Sequence, residues 1–225
     1  MIKTRKVVIV GDSAFAEIAH EYFDADSDYE VVGFSVERDY LKREDMHGLS
    51  IVPFEELESH FDPITHEVYV AIPYTQLNRL RARLAKDAKS RGYRLASYVS
   101  SRAFVWRNVE LGEHCFIFED NTVQPFVKIE NNVVLWSGNH IGHHSVIRDN
   151  CFIASHVVIS GFCDIGQNSF IGVNATLANN VTLGKDNWIG PNIVIMKSTE
   201  PDTFYRTEQP EPAKITTTRF FKIKE

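Results

Sequence analysis

The stretch IGHHSVIRDNCFIASHVVISGFCDIG, Ile141 to Gly166, decides the fold. Within it an isoleucine returns at every sixth position: 141, 147, 153, 159 and 165. No α-helix has that period. The register extends without a slip in both directions. Val105, Leu111, Ile117, Val123, Ile129 and Leu135 precede the stretch, and Ile171, Leu177, Leu183, Ile189 and Ile195 follow it. Four places after most of these aliphatics stands a small or β-branched residue, as at Val127, Cys151, Val157 and Ala175. Hexapeptide periodicity is the pattern of a parallel β-helix, in which each repeat supplies one short strand and one corner. Three repeats close a triangular coil, so residues eighteen apart stack at roughly the 4.8 Å strand spacing.

Stacking assigns places to side chains. Cys115, Cys151 and Cys163 all take the small inward position, which makes them buried packing residues rather than nucleophiles. Cys115 and Cys151 share a face two coils apart, about 9–10 Å, too far for a disulfide. Asn121 and Asn139 are inward on adjacent coils, which predicts a buried amide ladder satisfying its own hydrogen bonds.

The first hundred residues have another texture. KVVIV reads as a buried strand, and GDSAFAEIAHEYF as a glycine turn opening a helix with Ala14, Ile18 and Tyr22 on one side. YEVVGFSV, LSIVPFEEL and HEVYVAIPY add strands, the middle one with a short helix. TQLNRLRARLAKDAKSRGY reads as a helix capped by Thr75, with Leu77, Leu80, Leu84 and Ala88 as its apolar stripe. Its Arg79, Arg81, Arg83, Lys86, Lys89 and Arg91 form a solvated face or a field for an anionic ligand. Alternating strands and helices mean a small parallel α/β, Rossmann-like domain. Gly11, Asp12 and Ser13 sit where the first strand ends and the helix begins. That place suits a phosphate, or simply a tight turn. There is no G-x-G-x-x-G, so a dinucleotide site is not expected.

At 225 residues the chain is long enough for a real core, and its net charge of −6 disfavours nucleic acid or an anionic membrane as a general partner. The apolar run Val7–Val10 is far too short for a signal peptide, and no segment is long enough to span a bilayer. With three cysteines, an odd number, the expected location is the cytoplasm.

The repeats resemble the hexapeptide-repeat acyltransferases. An α/β domain of about a hundred residues followed by such a coil resembles, over residues 5 to about 200, the sugar acyltransferases of the sialic acid O-acetyltransferase and bacillosamine N-acetyltransferase type. The resemblance implies a left-handed β-helix and a homotrimer with its sites between neighbouring coils. It divides the chain into a nucleotide-sugar-binding domain (1–102), a β-helix acyltransferase domain (103–200) and a tail (201–225). Gly11, Asp12 and Ser13 would bind the nucleotide-linked sugar. Gly161 and Val173 would bind acetyl-CoA, the co-substrate. The first turn departs from the family: GDSAF keeps Gly11 and Ser13 but has Phe15 where the family has histidine. SVER replaces the family's acidic pair after the second strand.

In that family a histidine in the coil, followed by an acidic residue, is the general base. SGNHIGHHSVI places His143 at the base position and His144 where the acid stands. Glu119 or Asp120, from the same or a neighbouring chain, is then a candidate for the missing carboxylate. Gly161 lies eighteen residues after His143, directly above it, where its N–H is expected to hold the thioester carbonyl. The resulting expectation is direct N-acetylation of a nucleotide-linked amino sugar in surface polysaccharide or glycan biosynthesis, with no acyl-enzyme. Sugar O-acetylation is the alternative within the fold. A zinc site of the γ-carbonic-anhydrase kind, from His140, His143 and His156, and a non-catalytic trimeric scaffold are the alternatives outside it. In the tail, PEPAK (Pro210–Lys214) echoes the family's closing loop, and Phe220 and Phe221 are expected to pack on a subunit.

Overall fold

In a computed structural model, which describes residues 2–223, the front of the chain forms a six-stranded sheet flanked by helices. In chain order it contains β1 (Arg5–Val10), α1 (Ala14–Asp26), β2 (Tyr29–Val36), β3 (Asp45–Met46), β4 (Leu49–Pro53), α2 (Leu57–His60), β5 (His66–Val70), α3 (Arg79–Ser90) and β6 (Arg94–Leu95). The strand order is β3-β4-β2-β1-β5-β6, parallel except for the β3–β4 pair. The run Val7–Val10 is wholly buried and serves two cores by simple alternation. Val7 and Ile9 pack toward α1 and the coil, whereas Val8 and Val10 pack with Leu57, Leu84 and Ala88.

The buried face of α1 is Phe15, Ala16, Ala19 and Phe23. Ala14 is exposed, and Ile18 and Tyr22 lie only at the margin, so the helix is turned about one residue from the expected orientation. The reason is Phe15, which contacts Tyr69, Phe116, Phe118, Trp136 and Phe152.

From Tyr98–Val99 to Phe204–Tyr205 the chain winds as a left-handed parallel β-helix, extending a few residues beyond the expected 103–200 at each end. Its first face runs from Tyr98–Val99 to Phe204–Tyr205, its second from Phe104–Val105 to Val194–Ile195, and its third from Glu110–Leu111 to Thr182–Leu183. Strands pair eighteen residues on, as in His140↔Val158 and Ile141↔Ile159, except the last rung, where Trp188 pairs with Phe204 sixteen on. The sixth-position aliphatics from Ile117 to Ile195 point inward and are buried with the small residues between them. Burial of each such side chain contributes about 1.5–3 kcal/mol. Cys115, Cys151 and Cys163 are free and buried as expected; burial pushes the Cys115 and Cys151 thiols up to about 12.

Each corner from His114 to Asn192 turns through one residue with positive φ, third after the inward aliphatic. Fourteen such residues, His114 to Asn192, have φ between 57 and 76°. Asn, Asp, His or Gly fills twelve (14 − 2), the residue types that enter this region most readily. The other two are Phe126 and Phe162. At the corner between the third and first faces these residues form an amide ladder. Asn132 donates to Asn150 (2.8 Å), Asn150 to Asn168 (3.0 Å) and Asn168 to Asp186 (2.9 Å). The expected ladder at Asn121 and Asn139 does not form. Both side chains turn to the Trp136 carbonyl, and Asn139 Oδ1 accepts from Val157 N–H, because a free backbone group is nearer than the next amide.

The α/β domain covers the first face, and the seam is built around Arg81. This side chain was expected among the solvated or anion-attracting residues of α3, but it is wholly buried. It donates to the carbonyls of Pro73 (2.7 Å), Asn132 (3.2 Å) and Asn150 (3.1 Å) and to Oδ1 of Asn78 and Asn132 (3.0 Å each). Desolvation lowers its pKa to about 10, which leaves it charged at neutral pH. Thr75 is not the helix cap. Gln76, Leu77 and Asn78 all have positive φ, so a left-handed turn intervenes and α3 begins after Asn78. Beside Arg81, buried His114 receives Val70 N–H at Nε2 (2.8 Å) and therefore donates from Nδ1 to Asn132 Oδ1 (2.7 Å).

The tail beyond the coil is exposed and carries one short helix, α4 (Thr217–Phe220). Within the chain Phe220 and Phe221 remain exposed and meet edge-on at 5.0 Å and 83°.

Candidate active site

The corner between the second and third faces holds His143 and His144, both exposed. Hexapeptide winding places Gly161 above His143, and the side chain confirms the stacking. A β-carbon on Gly161 would lie 2.8 Å from His143 Cε1 and 3.0 Å from Nε2. The glycine therefore provides the seat for the imidazole. Its N–H donates to Asn179 Oδ1 at 2.9 Å, one coil further on, so the group expected to hold a thioester carbonyl already has an acceptor. Gln124 Oε1 takes the His143 N–H (2.9 Å) and Phe162 N–H donates to the His143 carbonyl (3.0 Å). These contacts fix the backbone from the coils on either side.

His143 Nδ1 lies 3.1 Å from His144 Nδ1, with the rings near perpendicular at 87°. One of these nitrogens must carry the hydrogen and the other accept it. His143 Nε2 has no hydrogen-bond partner among the described residues, so it is the ring atom available to a substrate. Within one chain neither candidate carboxylate reaches this corner. Glu119 stands at the corner between the first and second faces and accepts from Tyr22 OH at 2.7 Å. Burial pushes its carboxyl up, but hydrogen bonds from Tyr22 and Ser137 outweigh that and hold it below the usual range. Asp120 is exposed and 3.8 Å from Arg102.

Val173 lies at that same other corner, one prism edge away from His143, so a single chain does not bring it together with Gly161. It borders a groove of about 220 Å³ with Phe15, Pro73, Tyr74, Trp136 and Ser155, at the seam with the α/β domain. His140 projects from the second face, and His156 lies over Gly138 at the corner of Val173. Among the described residues no group of three or more His, Cys, Asp or Glu side chains is placed to hold a metal ion.

The Gly11 turn lies where β1, β2 and β5 end, beside a cavity of about 150 Å³ bordered by Gly11, Asp12, Glu37, Tyr40, Ile72 and Leu80. This is the switch point of the sheet, where ligands bind in open α/β folds. Gly11 has φ 127°, and a β-carbon there would meet Ala71 O at 3.0 Å, so the close passage of β1 and β5 requires glycine. Ser13 occupies the N-cap of α1 without a side-chain cap bond. Arg43, missed in the sequence because it comes from a remote loop, lies 3.7 Å from the Asp12 carboxylate and also reaches the Asp12 carbonyl. Phe126 and Phe162 were missed as well. Their signal is an aromatic one coil below and one coil above His144, at positions that elsewhere hold Asn, Asp, His or Gly.

Residues 126–161 and 144–179 match the family described as bacterial transferase hexapeptide (six repeats). No curated protein matches the chain. Among solved structures, the acetyltransferase domain of PglB from Neisseria gonorrhoeae aligns with a TM-score of 0.81 at 19% identity, over 93% of this chain and all of that one (100%). PerB from Caulobacter crescentus, crystallised with CoA and GDP-perosamine, aligns at 0.79 and 21% identity over 92% of this chain and 96% of its own. WeeI from Acinetobacter baumannii aligns at 0.68 and 19% identity over 89% and 96%. At these identities the likeness establishes the two-part fold, an α/β domain on a hexapeptide coil.

Proposed function

We propose that this protein is an acetyl-CoA-dependent N-acetyltransferase acting on the amino group of a nucleotide-linked amino sugar, with His143 as general base. The observation that carries the reading is the exposed His143 imidazole, seated on Gly161, bonded through Nδ1 and free at Nε2. A base so placed accepts the proton of an attacking amine. The amine nitrogen bonds to the thioester carbonyl carbon, the carbon–sulfur bond breaks, and the proton on Nε2 passes to the departing CoA sulfur. No protein nucleophile enters, in keeping with three buried thiols. PerB, which shares the fold, binds CoA and GDP-perosamine, which supports both substrate classes. The Gly11 turn and the N-terminus of α1 offer backbone N–H groups to the sugar's phosphates, beside Arg43, which is paired with Asp12.

The site requires a second copy of the chain. The first face is covered by the α/β domain, and the third carries ion pairs, Lys128–Glu110 and Arg148–Asp164. The second face presents Phe104, Thr122, His140, Val158, Thr176 and Val194, with no Lys, Arg, Asp or Glu in its outward row. Three such faces packed about one axis make a homotrimer in which the Val173 corner of one protomer meets the His143 corner of the next. The groove at the α/β seam then opens toward its neighbour's base, and acetyl-CoA lies between the two corners.

The test is CoA-thiol release from acetyl-CoA with a panel of nucleotide-linked amino sugars that includes GDP-perosamine. Release with at least one amino sugar, with the N-acetyl product and no turnover of the matching hydroxyl sugars, is expected. Turnover of the hydroxyl sugars instead would establish O-acetylation. Silence across the panel, with no acetyl-CoA binding by calorimetry, would leave a non-catalytic scaffold.

A further inference from the structure

Phe126, His144 and Phe162 occupy equivalent corner positions on three successive coils, and all three are in the left-handed region, with φ of 64, 59 and 60°. Their rings form one stack. Phe126 lies 4.7 Å from His144 at 29°, and Phe162 lies 4.9 Å from it at 19°. Bulky residues are disfavoured at such φ, and Phe fills this kind of position nowhere else in the coil. Both rings are also more than half exposed, so neither is there to build a core. The two costly choices fall on either side of one side chain, His144. Phe162 additionally meets the His143 ring edge-on at 5.0 Å and 87°.

We propose that Phe126 and Phe162 are positioning residues. They clamp His144 so that its Nδ1 accepts a hydrogen bond from His143 Nδ1–H, which fixes the tautomer in which His143 Nε2 is the free base. This rests on the reading of His143 as the base. The tautomer follows from proton counting. With Nε2 of neutral His143 unprotonated, its hydrogen sits on Nδ1, and the atom 3.1 Å away must then be the lone pair of His144 Nδ1. His144 therefore holds its own hydrogen on Nε2. When His143 Nε2 takes the amine proton, Nδ1–H keeps its acceptor and the positive charge is shared toward His144. Among the described residues no Lys, Arg, Asp or Glu forms an ion pair with either imidazole. The pair therefore acts without a carboxylate from its own chain. Two flat rings at 4.7 and 4.9 Å leave His144 little freedom to rotate out of that geometry.

The decisive measurement is a long-range ¹⁵N–¹H correlation spectrum of the full chain with labelled histidine rings, at pH 7.5. His143→Ala and His144→Ala assign the signals by their disappearance. In the unsubstituted protein His143 should show hydrogen on Nδ1 only and His144 on Nε2 only. In His144→Ala, Phe126→Ala and Phe162→Ala the His143 ring should become a mixture of tautomers. The kcat for CoA release should fall roughly tenfold in each phenylalanine variant, with KM for acetyl-CoA within about twofold, since misorientation weakens the base without touching the donor. Phe162→Trp should restore most of the loss. His144→Glu should keep turnover within about tenfold and move the acid limb of kcat/KM to higher pH, because a carboxylate favours the imidazolium form of His143. Hydrogen on Nε2 of His143 in the unsubstituted protein, or an unchanged His143 tautomer in His144→Ala, would overturn the proposal. Neither result depends on turnover. If instead His143→Ala released CoA normally, the reading of the base would fall while the tautomer measurement stood.

Discussion

The His143 imidazole rests on the α-carbon of Gly161, so closely that a β-carbon there would come within 2.8 Å of Cε1. The φ of Gly161 is not positive, so alanine fits the backbone, and the atoms nearest its β-carbon all belong to that ring. Gly161→Ala should displace His143 while leaving the coil intact. Displacement of a base by about an ångström costs on the order of 10²-fold in rate. We expect a loss of about 10- to 100-fold in kcat for CoA release, with the denaturation midpoint nearly unchanged. A fully active Gly161→Ala would mean that the proposed base does not depend on this seat.

His114 should make stability depend on pH. Burial is the main reason its pKa falls from 6.5 to about 3, with Arg81 adding to it and the bond to Asn132 opposing. Between these values the unfolded chain binds the proton and the folded one does not. The contribution of His114 is therefore complete above about pH 6.5 and declines as the pH falls toward 3, by up to about 1.4 kcal/mol per pH unit. Urea unfolding from pH 7.5 to 4.5 should show a shallower decline in His114→Gln than in the unsubstituted protein. Parallel lines would show that His114 is protonated in the folded state or solvated in it.

Arg81 joins the two domains through carbonyl and amide oxygens of both. Arg81→Met keeps much of the volume but strands those acceptors in a dry seam, at about 1–3 kcal/mol for each one left unpaired. A loss of at least about 3 kcal/mol in unfolding free energy is expected. Hydrogen exchange should also quicken at the amides around Ile72–Tyr74. A loss under about 1 kcal/mol would show that water replaces the guanidinium without penalty.

The uncharged second face gives a direct test of assembly. Val158 is outward and 39% exposed in the single chain. Val158→Asp should convert trimers to monomers by light scattering, with circular dichroism of the coil retained and CoA release lost. A trimer unaffected by charge there would place the contact on another face.

Much of this was legible beforehand. The aliphatics at steps of six from Val105 to Ile195 define coil, register and rung neighbours, and so predict that His143 lies under Gly161 and that all three cysteines face inward. Such features are local, since a repeat of fixed length converts spacing along the chain into position in space. Others resisted. Nothing near Arg81 reveals that its acceptors include Asn132 and Asn150, fifty and more residues away, so a basic helix read as solvated. A sequence shows the glycine at 161 but not that Asn179 takes its N–H.

The chain by itself determined its winding, because the six-residue step comes from which side chains must leave water and needs no knowledge of the partner surface. Folding in three dimensions decided how the α/β domain docks, that Arg81 is buried in the seam, and which ring of the His143–His144 pair is held. Those outcomes rest on directional hydrogen bonds and ring contacts between distant residues, and hydrophobic spacing carries no record of them.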